Sequence, residues 1–152
     1  MTNLEKDIWH WYHNISEAYY HIQLTIKYRK SLFNQQTESV ILETMKDFKE
    51  RYAIEITHVG FDKNHVHFLL RFLPKYSGGQ VIRIIKIIAA KQIFKQIPRI
   101  KKELWGGEFW TDGYYISTVG KAGSEFVIKE YVKNQGTGKD YQQFHRDQLT
   151  LF

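Results

Sequence analysis

Apolar and polar positions alternate along the chain in blocks of strand and helix period. Tyr20, Ile22, Leu24 and Ile26 alternate with Tyr19, His21, Gln23 and Thr25, which predicts a first strand with one apolar and one polar face. From Thr37 to Tyr52 the apolar residues Ile41, Met45, Phe48 and Tyr52 recur at helical spacing, predicting a first amphipathic helix. Ile54 to Phe61 and His65 to Phe72 then read as two strands joined by Asp62-Lys63-Asn64, turn-forming residues of hairpin length. Pro74 to Gly79 breaks the pattern. Gln80 to Ile97 reads as a second helix ended by Pro98, with Val81, Ile84, Ile85 and Ile88 on one side and Ile87, Ala90, Phe94 and Ile97 nearly opposite. Two stripes require two partners: the sheet, and either a second chain or, more ordinarily, the Trp105 to Trp110 segment. Tyr114 to Val119 predicts a fourth strand, Ser124 to Gln135 a third helix, and Gly136 to Lys139 a break before a polar tail.

Strand, helix, strand, strand, helix, strand is the order of an α+β, ferredoxin-like or RRM-like split βαβ sandwich with an antiparallel sheet, here with an added C-terminal helix that carries Tyr131. In that topology the first and third strands are central. There is no internal repeat or linker, and 152 residues suit one domain, 1–152, with residues 1–18 as an N-terminal extension and 136–152 as a polar C-terminal tail.

The absence of cysteine excludes disulfides, thiolate metal sites and cysteine nucleophiles, and fits a reducing cytoplasm. The N-terminus has no basic start followed by an apolar run, and the most apolar later stretch, Ile84 to Ala90, is interrupted by Lys86 and too short to span a bilayer. The expectation is a soluble, cytoplasmic protein with no membrane partner. A net charge of +6, with basic residues such as Lys27, Arg29, Lys30, Lys101 and Lys102 among aromatic residues, suits a polyanion. A solvated basic surface would account for the charge equally well.

The residues that carry chemistry begin with His65-Val66-His67. Alternation sends both imidazoles to one face of a strand, roughly 7 Å apart at Cα, while Val66, Phe68, Leu70 and Phe72 line the other. The apolar side can be buried while the histidine side stays open to an ion and a substrate, a ligand spacing for a metal site, although two histidines on a wet face can also be plain surface groups. His21, on the polar face of the neighbouring central strand, is a rival further ligand. Tyr131 and Gln135 are four residues apart and share a helix face with Val127, so a phenol and an amide oxygen can approach one point. A core tyrosine would show the same spacing.

Taken in order, Tyr20-His-Ile…Lys27-Tyr-Arg-Lys, Asp62-Lys-Asn-His-Val-His-Phe-Leu, Leu104-Trp…Phe109-Trp-Thr-Asp-Gly-Tyr-Tyr-Ile-Ser-Thr-Val-Gly120 and Glu130-Tyr-Val-Lys-Asn-Gln135 resemble the single-tyrosine HUH transposases of the smallest bacterial and archaeal insertion sequences. The resemblance spans about residues 19 to 135. It implies that His65 and His67 bind a divalent ion, Mg²⁺ or Mn²⁺, with Gln135, in preference to His21 as third ligand. It further implies that Tyr131 attacks a DNA phosphate, and that a homodimer with composite sites cuts and rejoins single-stranded DNA at transposon ends carrying hairpins. A free tyrosine is protonated at neutral pH, so a base, a cation or the ion must assist it, with Lys129 and Lys133 as candidates. Trp9 and Trp11, with Lys27, Arg29 and Lys30, are candidate DNA contacts. Two departures stand out: the longer N-terminus with Trp9-His-Trp-Tyr-His13, and Ile26 where proline commonly precedes Lys-Tyr-Arg. The rival readings are an HUH replication initiator or relaxase-type nuclease, and a non-catalytic ferredoxin-like module for single-stranded nucleic acid.

Overall fold

The computed structural model describes residues 18–119, together with the backbone of three short strands, Trp9–Trp11, Asn14–Ser16 and Tyr141–Gln143. In chain order the elements are β1 (Trp9–Trp11), β2 (Asn14–Ser16), β3 (Tyr19–Thr25), α1 (Gln35–Met45), α2 (Phe48–Tyr52), β4 (Ile54–Phe61), β5 (His65–Phe72), α3 (Gly78–Gln96), α4 (Pro98–Glu103), β6 (Tyr115–Val119) and β7 (Tyr141–Gln143). The predicted third helix, with Tyr131, Gln135, Lys129 and Lys133, and the side chains of Trp9 and Trp11 lie outside the described residues.

The main sheet is antiparallel, in the order β6-β3-β5-β4-β7, so the first and third predicted strands are central, as the split βαβ plan requires. Two pairings lay outside the sequence pattern. β1 and β2 form a separate two-stranded ribbon within the N-terminal extension, and β7, in the segment read as a polar tail, adds an edge strand beside β4. Opposite residues of paired strands share a face, which sets Ile22, Leu24, Val66, Phe68, Leu70, Ile54, Ile56, Val59 and Phe61 together on one side of the sheet. All are buried, and α1 and α3 cover them with Val40, Ile41, Met45, Val81, Ile82, Ile85, Ala89 and Ile93. Each such side chain contributes about 1.5–3 kcal/mol by leaving water. This apolar layer is what fixes the sheet's opposite face as the one that carries the histidines.

The first predicted helix is two helices. α1 starts earlier than the pattern indicated because the Asn34 side chain accepts from the backbone of Gln36 and Thr37 while Thr37 caps back, a capping box. After the turn at Lys46 and Asp47, α2 ends at Ala53, which takes the left-handed conformation at φ 56°. In α3, capped by Ser77 and Gln80, the second stripe meets the segment of the same chain that follows α4: Phe94 packs edge-on against Phe109, and Trp110 Nε1 donates to the carbonyl of Lys86. Ile87, on that stripe, stays exposed.

Two devices hold β6 in place. Lys86 Nζ donates to the carbonyls of Thr111, Asp112 and Gly113, clasping the loop that enters the strand. Gly78 lets α3 approach closely, since a Cβ there would meet Ile116 Cδ1 at 2.6 Å.

Candidate active site

β5 leaves a tight turn directly into His65. Asp62 N donates to His65 O, and Lys63 N donates to Asp62 Oδ1, closing the connection. Strand alternation then puts His65 and His67 on the face opposite the core, with ring centroids 4.9 Å apart. β3 brings His21 to the same face: its ring stacks on His67 at 5.1 Å, and His21 Nε2 lies 2.9 Å from His67 Nδ1. Tyr115 on β6 meets the His21 ring edge-on at 5.6 Å. The expected pair is therefore a row of three imidazoles across two central strands.

The hydrogen bonds bear on which ring nitrogens can hold an ion. His65 Nδ1 is 2.7 Å from Asn64 Oδ1, an acceptor only, so Nδ1 carries the proton and Nε2 the lone pair. For His67 the corresponding arrangement is Nδ1–H donating to His21 Nε2, which again leaves the lone pair on Nε2. In that tautomer both Nε2 atoms offer a lone pair, each ring oriented through its other nitrogen, the usual construction around a metal-binding histidine. Asp62 Oδ2 stands 3.8 Å from His65 Nε2, adding negative charge to the same corner. Among the described residues no group of three or more His, Cys, Asp or Glu has a geometry that could hold a metal ion. His65 and His67 fit as two neutral ligands of an incomplete set, and His21 is engaged through the ring nitrogen that a third ligand would need.

The histidine face is more enclosed than the alternation implied. His65 is partly buried, His67 is 8% exposed, and Leu69 and Arg71, further along the face, are buried. Arg71 is satisfied there, with Nε donating to Glu55 Oε2 at 2.5 Å and Lys49 also near that carboxylate. Enclosure lowers the imidazole pKa values, because burial penalises the charged form. His67 falls to about 3, through burial first and then repulsion from His21 and His65, opposed by Asp62. His21 is lowered by burial, and His65 by burial against the raising effect of Asp62. All three are neutral at pH 7, the form that binds metal without first losing a proton.

The same shifts act on stability. A histidine with a depressed folded pKa binds fewer protons folded than unfolded at pH below 6.5, so its contribution is complete above 6.5 and is lost on acidification. For His67 the loss runs from about 6.5 down to about 3, with a slope approaching ~1.4 kcal/mol per pH unit. Thermal melts should therefore show a falling Tm between pH 6.5 and 4, and His67→Gln should flatten that dependence. A wild-type Tm independent of pH over this range would contradict the assignment.

The other sequence candidates separate. Lys27, Arg29 and Lys30 follow β3 on a single 3-10 turn, where Lys27 pairs with Glu108 at 3.5 Å and Lys30 reaches the carbonyl of Glu103. For Trp9 and Trp11 only the backbone of β1 is described. Sequence reasoning missed Asn64 and Asp62 as neighbours of the imidazoles, and also Tyr115. Asn64 and Asp62 counted there only as turn formers, whereas alternation in the fourth strand could have placed Tyr115 opposite Gln23.

Fold and site together define a small α+β domain with paired histidines on a central strand of an antiparallel sheet backed by two helices. Residues 14–135 match the family described as "Transposase IS200 like", and the chain belongs to that family. Curated relatives agree: it is 26% identical over 116 residues to the ISDra2 transposase TnpA of Deinococcus radiodurans, covering 76% of this chain and 82% of the relative. It is 28% identical over 116 residues to the transposase for insertion sequence element IS200 of Salmonella typhimurium, covering 76% and 75%. The fold is shared with two solved structures. One is a putative transposase from Deinococcus radiodurans, with TM-score 0.62, 24% identity and coverage of 77% of this chain and 89% of that one. The other is a REP-associated tyrosine transposase bound to a REP hairpin, with TM-score 0.51, 15% identity and coverage of 82% and 71%. Family membership carries DNA binding and DNA transposition as the class of activity.

Proposed function

We propose that this transposase cleaves and rejoins single-stranded DNA at insertion-sequence ends through a covalent 5′-phosphotyrosine intermediate on Tyr131. The observation that carries this reading is the His65–His67 pair on one face of the central strand, with each Nδ1 at hydrogen-bond distance from a neighbour, Asn64 Oδ1 for His65 and His21 Nε2 for His67. Those two nitrogens, with the Gln135 side-chain oxygen, would hold Mg²⁺ or Mn²⁺. When bound, such an ion would polarise the scissile phosphate and stabilise the charge that develops there.

The chain's own residues supply the rest. The Tyr131 oxygen attacks phosphorus, the bond from phosphorus to the 3′ oxygen breaks, and that oxygen leaves as a 3′-hydroxyl after taking up a proton. The phenolic proton passes to a neighbouring base, for which Lys129 or Lys133 would have to be uncharged. In rejoining, a 3′-hydroxyl attacks the phosphotyrosine and expels the tyrosine oxygen. One phosphate ester is exchanged for another at each step, so no nucleotide triphosphate is consumed. Neutral His65, His67 and His21 leave the site's positive charge to the ion and to basic residues nearby.

Hairpins at the element ends, as in the DNA-bound structure that shares the fold, would position the substrate, and a homodimer would assemble each site from two chains. The direct test is incubation of the protein with end-labelled single-stranded DNA from the flanks of its gene, in Mn²⁺. A denaturant-resistant protein–DNA adduct is expected. Tight binding with no adduct under any divalent ion would favour the non-catalytic module instead.

A further inference from the structure

Tyr28 and Trp105 are 58% and 72% exposed, large apolar side chains held in water on one patch. Their rings meet edge to face at 5.1 Å. Both stand in left-handed backbone, at φ 61° and 53°, and so does Arg29, at 52°. Among the described residues only Ala53 joins them as a non-glycine with positive φ, so three of these four positions fall on one small surface. Each costs roughly 1 kcal/mol or more of backbone strain.

Trp105 sharpens the point. It follows the end of α4, where its N–H donates to Lys102 O and Gly106 N to Lys101 O, at the place where helices usually carry glycine. Gly106 and Gly107 come directly after it. The chain thus holds glycine one residue away and puts an indole, in water, at the strained position. Neither packing nor helix termination accounts for that choice.

The surroundings are cationic. Lys30 Nζ lies over the Trp105 ring at 4.5 Å, Lys27 Nζ is 5.8 Å from the Tyr28 centroid, and Arg29, Lys101 and Lys102 are exposed close by in the chain. Flat π faces ringed by Lys and Arg match an unpaired nucleobase with its phosphates: the base stacks on the ring and the backbone neutralises the charge.

The patch is also tied to the candidate active site. Thr25 pairs with His65, and Tyr28 follows it by three residues, on the 3-10 turn that leaves β3. Ile26 N donates to Asn64 O and Phe33 N to Lys63 O, so this loop is bonded on both sides to the turn that launches the histidine strand. We propose that Tyr28 and Trp105, with Lys30 and Arg29, form a stacking platform for unpaired bases of single-stranded DNA running off the histidine site. The inference rests on the DNA-processing reading above and names a subsite for it.

The test is binding of a fluorescein-labelled single-stranded oligodeoxynucleotide, and of its perfect duplex, in EDTA so that cleavage plays no part. Trp105→Ala should weaken single-strand binding about 10-fold or more and leave duplex binding unchanged, while Trp105→Phe retains most of the affinity. Quenching of indole fluorescence by the oligonucleotide should shrink in Trp105→Phe, which marks Trp105 as the reporter among the four tryptophans. Trp105→Gly separates stacking from folding: it removes the ring and relieves the strain, so Tm should rise while single-strand affinity falls. Unchanged single-strand affinity in both Trp105→Ala and Trp105→Gly would overturn the platform and leave the DNA-processing reading intact. Absence of single-strand binding by the wild type would overturn both. A shift in sedimentation of Trp105→Ala towards smaller species, with DNA affinity unaltered, would reassign the patch to contact between copies of the chain.

Discussion

Tyr131→Phe is expected to abolish the covalent protein–DNA adduct and to lower strand cleavage by roughly 10⁴-fold or more, because it would remove the oxygen proposed to form the bond to phosphorus. DNA affinity should stay near that of the wild type, since phenylalanine keeps the ring. Retention of the adduct would move the nucleophile elsewhere, with Tyr114, Tyr115 and Tyr141 next to test. Tyr115 already lies against His21. The same variant tests assembly. Mixed with His65→Ala/His67→Ala chains, it should regain cleavage if each site draws its histidines and its tyrosine from different subunits, for then each heterodimer holds one intact set. A mixture that stays inactive, with heterodimers shown by mass, would confine Tyr131 to the histidines of its own chain.

Loss of either imidazole should be nearly as severe. Removing a residue that merely orients a metal ligand typically costs 10–100-fold in metal affinity or activity. His67→Ala, which would remove a proposed ligand together with its contact to His21, should exceed that in both Mn²⁺ affinity and cleavage. His21→Ala should fall within the 10–100-fold range, because in the proposed site His21 would act on the ion through its contact with His67 Nδ1. His21→Gln should recover part of the loss, since an amide oxygen can accept from the same N–H. Gln135→Ala should raise the ion concentration needed for cleavage more than His21→Ala does. The reverse order would make His21 the third ligand and Gln135 dispensable.

How far the sequence disclosed this arrangement varied with the range of the forces involved. β4 and β5 fall on the predicted strands residue for residue, because strict alternation and an Asp-Lys-Asn turn act locally. The central place of β3 and β5 followed from topology alone. Helix boundaries were less visible: Asn34 caps α1 upstream of the first apolar repeat, and the two-residue turn at Lys46 and Asp47 leaves no mark in an amphipathic pattern. The strands β1, β2 and β7, three residues each, owe their existence to pairing partners rather than to any pattern of their own. In the candidate site, His65 and His67 were evident from spacing, and His21 from its face of β3. The bond between His21 and His67 was not, since it depends on a diagonal offset between strands whose facing pairs are Gln23–His67 and His21–Leu69. In the sequence Trp105 was legible as part of the Leu104-Trp motif and of the segment expected to cover the second helix, and only its backbone angle and exposure set it apart as a contact.

The short hairpin between β4 and β5 separates two kinds of order within the row of imidazoles. His65 and His67 are spaced by a single strand, so their mutual distance survives any opening that leaves β5 extended. His21 is 46 residues from His67, and holding it there closes a long loop. By chain entropy such closure costs on the order of 2 kcal/mol more than a three-residue turn. When the sheet breathes, β3 can part from β5 while the hairpin persists, and His67 then loses its tether before the pair loses its spacing. Hydrogen exchange at the Leu24 and Val66 amides, which pair across β3 and β5, would time that event, making the centre of the sheet a clock for the readiness of the site.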